Sequence, residues 1–210
     1  MIIFDLDGTL LDTSKDLHLS LNYALTVHHL PNTTQEQTLS YLGNGIDELV
    51  AKAIPNGKQS PNFNSIFTTF KNYYEQHLND NTTPYDGIIE LLTTLKSQNH
   101  KLGIISNKFN EGVQELHQKF FSNLIDISIG TSKTISKKPS PDGILSLIHQ
   151  LKAENETNIF VGDSEVDIQT AQNANIPCIS VSWGFRDREF LQNHNASTII
   201  NHPLELLKHI

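Results

Sequence analysis

The chain has 210 residues, a length that accommodates one domain or two small ones. Its hydrophobic fraction of 37% and its charged fraction of 18% are typical of a globular protein and exclude a disordered or fibrous one. The formal net charge of -8 disfavours nucleic acid and anionic membranes as partners, because both require a basic surface.

The sequence shows neither an apolar run of membrane-spanning length nor an N-terminal basic segment followed by an apolar one. We therefore expect a cytoplasmic protein that has no membrane partner. The single cysteine, Cys178, lies in an apolar stretch and is expected to be a buried structural thiol. We expect a monomer or a small homo-oligomer.

Short apolar runs that end in polar loops recur along the chain and predict buried strands. The first run begins at Ile2 and ends at Asp5, and four more follow at residues 101–105, 125–129, 157–161 and 177–181. Segments with helical spacing lie between them, such as 87–95 and 141–151, and 203–210 is expected to be a closing helix. Strands that alternate with helices predict an α/β fold with a doubly wound parallel sheet.

One region interrupts this alternation with helical patterns only. Apolar residues recur at helical spacing in 17–27, 46–53 and 63–74, and the breakers Pro31, 43–45 and 55–57 separate them. We therefore predict a helical cap domain at residues 14–82, inserted after the first strand, and a core domain at residues 1–13 and 83–210.

Three polar residues, Asp5, Ser106 and Asp163, each follow a predicted strand. In parallel sheets, ligands bind beyond the carboxyl ends of the strands, so these side chains are expected at one edge. Asp5 and Asp7 lie two residues apart before Gly8, which permits a tight turn. Close carboxylates repel each other, and Mg²⁺ accepts such oxygen ligands; Asp163 could complete the set.

Each of these residues also has a structural explanation when it is considered alone. Asp5 and Asp7 could cap a turn, and Ser106 with Asn107 could cap a helix. Lys138 could be a solvated lysine, and Asp163 with Asp167 could be acids at a helix N-terminus.

Four motifs in order along the chain resemble the haloacid dehalogenase (HAD) superfamily of phosphohydrolases. The resemblance spans residues 2–181. Its motifs are Asp-Leu-Asp-Gly-Thr-Leu at 5–10, Ile-Ile-Ser-Asn-Lys at 104–108, Lys-Pro-Ser-Pro at 138–141, and Gly-Asp-Ser-Glu-Val-Asp at 162–167.

The resemblance implies a Rossmann-like core and a role for each motif residue. Asp5 would attack phosphorus, and Asp7 would act as general acid and base. Mg²⁺ would bind the Asp5 carboxylate, the Asp7 backbone carbonyl and the Asp163 carboxylate. The phosphate oxygens would contact Thr9, Ser106, Asn107 and Lys138, with Lys137 as an alternative to Lys138, and Asp167 would orient the lysine or a metal-bound water.

Two further segments resemble the phosphoglycolate phosphatase branch of the superfamily. They are the Gly-Asn-Gly turn at 43–45, whose Asn44 would contact the substrate, and the run at 137–142. The resemblance implies an Mg²⁺-dependent phosphatase for a small phosphomonoester, with 2-phosphoglycolate as the expected substrate. The alternatives are a phosphosugar mutase or phosphatase, a pyrophosphatase, a nucleotidase, and a non-catalytic binding protein. A dehalogenase and a phosphonate hydrolase are disfavoured because Asp7 is present.

Overall fold

The structure is a computed structural model that describes residues 1–210. Its strands are β1 (Ile2–Phe4), β2 (Leu11–Asp12), β3 (Thr83–Pro84), β4 (Leu102–Phe109), β5 (Ile127–Thr131), β6 (Ile159–Gly162), β7 (Cys178–Val181) and β8 (Ile199–Ile200). Its α-helices are α1 (Ser14–Val27), α2 (Gln35–Tyr41), α3 (Ile46–Ala53), α4 (Phe63–His77), α5 (Ile88–Ser97), α6 (Asn110–Phe120), α7 (Asp142–Gln150), α8 (Glu165–Asn173) and α9 (Arg188–Asn193). Short 3₁₀ helices cover Gly57–Gln59 and Pro203–Lys208.

The chain divides into two compact units. Unit 1 comprises Met1–Leu11 and Pro84–Ile210, and unit 2 comprises Asp12–Thr83. The chain passes between the units twice, through strands β2 and β3, which pair with each other.

Unit 1 is an α/β fold built on a six-stranded sheet in the order β5-β4-β1-β6-β7-β8. Every pair of neighbouring strands is parallel. Strand β1 lies between β4 and β6, with Phe4 in register with Ile104 and Val161. The residues that follow β1 and β6 therefore lie near the C-terminal half of β4.

One face of this sheet carries a continuous apolar core. Ile3, Ile105 and Phe160 project from three neighbouring strands and pack with Ile144 and Leu147 of α7. All five side chains are at most 3% exposed, and burial of this size stabilises a fold by about 1.5–3 kcal/mol per side chain. The core anchors the three strands whose ends hold the polar residues described below.

The structure corrects several sequence predictions. Strand β4 does not end at Ser106 but continues through Asn107 and Lys108 to Phe109, with an irregularity in its pairing to β5. The pattern did not predict the edge strand β8 or helix α2, because two residues and seven residues give weak periodicity. The closing helix is a 3₁₀ helix.

Unit 2 consists of helices α1 to α4, and its first and last segments are fastened together by Asp16. This carboxylate is 2% exposed and accepts hydrogen bonds from Asn81 and Thr82, which precede β3. The donors are the Asn81 backbone N–H and side-chain amide at 2.8–3.0 Å, and the Thr82 N–H and hydroxyl at 2.9 and 2.8 Å. The two ends of unit 2 are thus joined by one buried acid, which we call the Asp16 clip.

No helix combines the length and apolar character needed to cross a membrane. Cys178 begins β7 and packs against the core, but it is half-buried rather than fully buried as predicted, because it stands at the first position of the strand. Loss of hydration there raises the pKa of its thiol to about 12. The thiol therefore stays protonated at neutral pH.

Candidate active site

The polar residues predicted from the sequence meet at the carboxyl edge of the sheet in unit 1. Asp5 follows β1, and its backbone N–H donates to the Val161 carbonyl oxygen of β6 at 2.9 Å. Asp163 follows β6, while Ser106 lies within β4. This arrangement follows from the strand order, because β1 has β4 on one side and β6 on the other.

Three buried carboxylates form a compact acid cluster, namely Asp5, Asp163 and Asp167. Each offers one oxygen, and these oxygens all lie within 4.8 Å of one another. The Lys138 ammonium lies 2.7 Å from Asp5 Oδ1 and 2.6 Å from Asp167 Oδ1. Asp167 is the third residue of α8, and its other oxygen accepts from the Ser164 N–H and hydroxyl. One lysine therefore faces three acids.

Burial and mutual repulsion perturb the protonation of this cluster. Burial raises the pKa of Asp5 well above its usual value, and the Lys138 ammonium opposes that rise. Burial, with the Asp167 charge added, raises the pKa of Asp163 to about 7. Burial opposes the charge on Lys138, but Asp167 and Asp5 outweigh it and raise its pKa above the usual lysine range. With all groups ionised, the single positive charge of Lys138 does not balance the negative charges of the three carboxylates.

Asp7 lies apart from the acid cluster and has its own cation. Its Oδ1 is 2.8 Å from the Lys108 ammonium, and its Oδ2 accepts from the Ser106 hydroxyl at 3.2 Å. The Lys108 side chain is only 2% exposed. Sequence reasoning gave Lys108 no role, although it is the last residue of the second motif. Its position two residues after Ser106 on an extended strand places both side chains on one face and could have revealed it.

The loop that contains Thr9 holds Asp163 in a fixed orientation. The Thr9 hydroxyl donates to Asp163 Oδ1 at 3.2 Å, and the Phe185 backbone N–H donates to Oδ2 at 2.7 Å. The Trp183 indole N–H donates to the Thr9 carbonyl at 3.0 Å, which ties the loop after β7 to the loop after β1. The predicted phosphate ligand Thr9 therefore uses its hydroxyl to orient Asp163.

The remaining motif residues organise Lys138. The Lys138 backbone N–H donates to Asn107 Oδ1 at 2.6 Å, and Asn107 Nδ2 donates to the Lys138 carbonyl at 3.3 Å. The Asn107 amide, predicted to contact phosphate, is thus engaged with the lysine backbone. Lys138 is 6% exposed and points at Asp5, whereas Lys137 is exposed.

The donor set suits a divalent cation. Four carboxylates and two ammonium groups leave two net negative charges when all six are ionised; they belong to Asp5, Asp7, Asp163, Asp167, Lys108 and Lys138. Oxygen ligands that carry this charge match Mg²⁺. Because the Asp7 side chain is paired with Lys108, its backbone carbonyl is the atom that this residue could offer to a cation.

Asn44 belongs to unit 2, unlike the other predicted site residues. It lies in the short loop between α2 and α3, flanked by Gly43 and Gly45, whose φ angles are +104° and +90°. Such angles favour glycine and turn the chain sharply around the asparagine.

Comparisons with known proteins agree with these motifs. The sequence model of the haloacid dehalogenase-like hydrolases matches residues 2–181, which include every strand-end residue described above. The chain belongs to this family.

Several relatives are named phosphoglycolate phosphatases. A phosphoglycolate phosphatase from Mannheimia succiniciproducens is 30% identical, with 97% of this chain and 91% of the relative covered. One from Aquifex aeolicus is 31% identical over 99% and 95%. A solved structure from Lactobacillus delbrueckii subsp. bulgaricus, proposed to be a phosphoglycolate phosphatase, is 34% identical with a TM-score of 0.95 and covers 100% and 97%.

The chain is thus a HAD phosphatase of the branch that resembles phosphoglycolate phosphatase, and it hydrolyses phosphoric monoesters.

Proposed function

We propose that this phosphatase converts 2-phosphoglycolate to glycolate and phosphate, with Mg²⁺ as its cofactor and an aspartyl-phosphate on Asp5 as its intermediate. The observation that supports this chemistry best is the acid cluster beside Lys138. It places a buried carboxylate nucleophile next to both a cation and further metal-ligand oxygens. The names of the relatives support the substrate.

In the first half of the reaction, an Asp5 carboxylate oxygen forms a bond to phosphorus while the bond from phosphorus to the substrate oxygen breaks. Asp7 donates a proton to the departing oxygen, so that glycolate leaves as an alcohol. Asp7 suits this role because its carboxylate lies outside the acid cluster. Contacts with Ser106 and Lys108 hold the carboxylate in place.

In the second half, Asp7 accepts a proton from a water molecule whose oxygen attacks phosphorus. The bond between phosphorus and Asp5 breaks, which releases inorganic phosphate and regenerates the free Asp5 carboxylate. Asp7 therefore gives one proton to the leaving group and regains another from water in each cycle.

The ammonium of Lys138 and the hydroxyl of Ser106 are the donors that would hold the transferring oxygens. Both are at most 6% exposed, and a charge-assisted hydrogen bond is strong in such a site. Lys138 bridges Asp5 and Asp167, so its charge lies where phosphate charge accumulates. Asp5, Asp163 and the Asp7 carbonyl would hold Mg²⁺, which supplies positive charge that offsets the repulsion between the carboxylate nucleophile and the phosphate.

Unit 2 is proposed to be the cap that selects the substrate, with Asn44 as a contact through its amide. The support is the resemblance of the Gly-Asn-Gly turn to the branch named above. Asn44→Ala is expected to raise KM for phosphoglycolate about tenfold, since a hydrogen bond to a charged group is lost. The matched control is Asn64→Ala, an exposed asparagine on α4. Equal kinetics for the two variants would contradict a substrate contact.

Two other substrates are retained because more distant relatives carry their names. An N-acetylmuramic acid 6-phosphate phosphatase from Pseudomonas aeruginosa is 27% identical, and the pyrophosphatase PpaX from Bacillus mycoides is 24% identical. A sugar phosphate and pyrophosphate therefore belong in any substrate screen.

The deciding experiment measures phosphate release from phosphoglycolate, sugar phosphates, nucleotides and pyrophosphate, with and without Mg²⁺. We expect the highest kcat/KM for phosphoglycolate and no turnover after chelation. Asp5→Asn should lower kcat by on the order of 10⁴-fold or more, while Asp80→Asn, at an exposed acid of unit 2, should not. Intact mass spectrometry after an acid quench should detect a phosphorylated wild type and an unmodified Asp5→Asn. Full activity of Asp5→Asn would refute the mechanism.

A further inference from the structure

Lys108 is a buried lysine, and the burial of its charge requires a compensating interaction. A lysine that is 2% exposed forfeits most of its hydration, and such residues occur where a specific negative charge compensates the loss. Its ammonium lies 2.8 Å from Asp7 Oδ1, and its backbone N–H donates to the Ser106 hydroxyl at 3.1 Å. The chain thus directs a second cation to the active-site edge, separate from Lys138.

The two lysines accompany different catalytic groups. Lys138 is held between Asp5 and Asp167 at the nucleophile, while Lys108 accompanies Asp7, the proton donor to the departing oxygen. In phosphoryl transfer the attacking and leaving oxygens lie roughly in line on opposite sides of phosphorus. Whatever is attached to the leaving oxygen therefore points away from Asp5 and toward Asp7 and Lys108.

Phosphoglycolate carries a carboxylate on this leaving group, two bonds from the oxygen that Asp7 protonates. That carboxylate approaches the acidic side chain of Asp7 and needs a cation beside it. An ammonium group has three donors, so Lys108 can keep Asp7 and still donate to a second carboxylate.

We propose that Lys108 is a specificity-determining residue that binds the carboxylate of the leaving group; this inference rests on the proposed substrate. It makes the enzyme selective for phosphomonoesters of hydroxy acids over those of simple alcohols.

The test compares phosphoglycolate with ethyl phosphate, which lacks the carboxylate, in the wild type and in Lys108→Met. Loss of a hydrogen bond between charged groups should lower the ratio of the two kcat/KM values by about 10- to 100-fold. The ratio is taken within one preparation, so a variant that folds incompletely still reports selectivity. Lys108→Arg, which keeps the charge, should retain most of the ratio. The matched control, Lys133→Met, removes an exposed lysine and should leave the ratio unchanged.

Three outcomes separate the possibilities. A lower ratio in Lys108→Met, recovered in Lys108→Arg, supports the inference. If both substrates slow equally, Lys108 acts only as the partner of Asp7 and the inference is wrong, although the proposed function stands. If the wild type does not prefer phosphoglycolate over ethyl phosphate, the substrate proposal fails and the inference fails with it.

Discussion

Replacement of Gly8 by alanine tests how closely the catalytic loop approaches the acid cluster. Gly8 has a φ of +88°, and a Cβ built there would lie 2.8 Å from Asp163 Cγ and 2.9 Å from its Oδ1, with Oδ2 closer still. Ordinary contact begins at about 3.4 Å. Asp163 cannot move aside freely, because Thr9 and Phe185 hold its two oxygens.

Two costs add in Gly8→Ala. A non-glycine residue at this backbone angle costs about 1–3 kcal/mol, and overpacking a buried site costs about 1–3 kcal/mol more. We therefore expect a loss of about 2–6 kcal/mol in the free energy of unfolding. Because the methyl group displaces Asp163, the Mg²⁺ concentration for half-maximal activity should also rise by at least about tenfold.

Gly87→Ala is the matched control. Gly87 has a similar φ of +83°, but a Cβ there meets the exposed ring of His202 at 3.0 Å rather than an acid of the site. The control should lose only the backbone cost of about 1–3 kcal/mol and keep its Mg²⁺ dependence.

Urea unfolding followed by the fluorescence of Trp183, the single tryptophan, provides the assay. Its indole is bonded to Thr9 and so reports on the loop itself. If Gly8→Ala loses no more stability than Gly87→Ala and binds Mg²⁺ with unchanged affinity, the close approach of Gly8 to Asp163 determines neither stability nor metal binding, and the reasoning is refuted.

Two further predictions concern the buried acids. Because the pKa of Asp163 is raised to about 7, the metal-free fold binds a proton more tightly than the unfolded chain and loses stability as pH rises from about 4 to 7. Mg²⁺ should therefore raise the melting temperature of the wild type more at about pH 8 than at about pH 5.5. Calorimetry should find a smaller difference for Asp163→Asn, in which the raised pKa of Asp5 remains; a pH-independent shift in the wild type would contradict this. Asp16→Ala removes the acceptor of the half-buried Asn81 donors and of the buried Thr82 N–H, while the Thr82 hydroxyl keeps the Leu78 carbonyl as a partner. The variant should cost about 2–4 kcal/mol in urea unfolding, whereas Asp47→Ala, at a surface ion pair, should cost less than about 1 kcal/mol.

Much of the fold was predictable because each core strand is a short apolar run that ends in polar residues. Parallel pairing then implies that the strand ends share one edge, which explains why Asp5 and Asp163 were expected together and are found together. Local pattern carries this information, since a strand that is buried on both faces tolerates few polar residues.

The partners of each side chain were not predictable in the same way. Asn107 and Lys138 are 31 residues apart, and only the folded chain shows that the asparagine amide forms two hydrogen bonds with the lysine backbone. Lys108 was overlooked because strand β4 extends beyond its apolar run, where periodicity no longer distinguishes strand from loop. Such contacts depend on tertiary packing, and a motif records only which residue types are present.

The Asp16 clip gives unit 2 the character of an exchangeable module. Within unit 2, Asp16 fastens the incoming chain to Asn81 and Thr82, and within unit 1 the Tyr85 N–H donates to the Leu10 carbonyl at 3.2 Å. Each unit therefore secures its own ends, and neither depends on the other to bring them together. Evolution can lengthen, shorten or replace such an insertion without altering the order of the strands, so that new substrates are acquired around an unchanged phosphoryl-transfer chemistry.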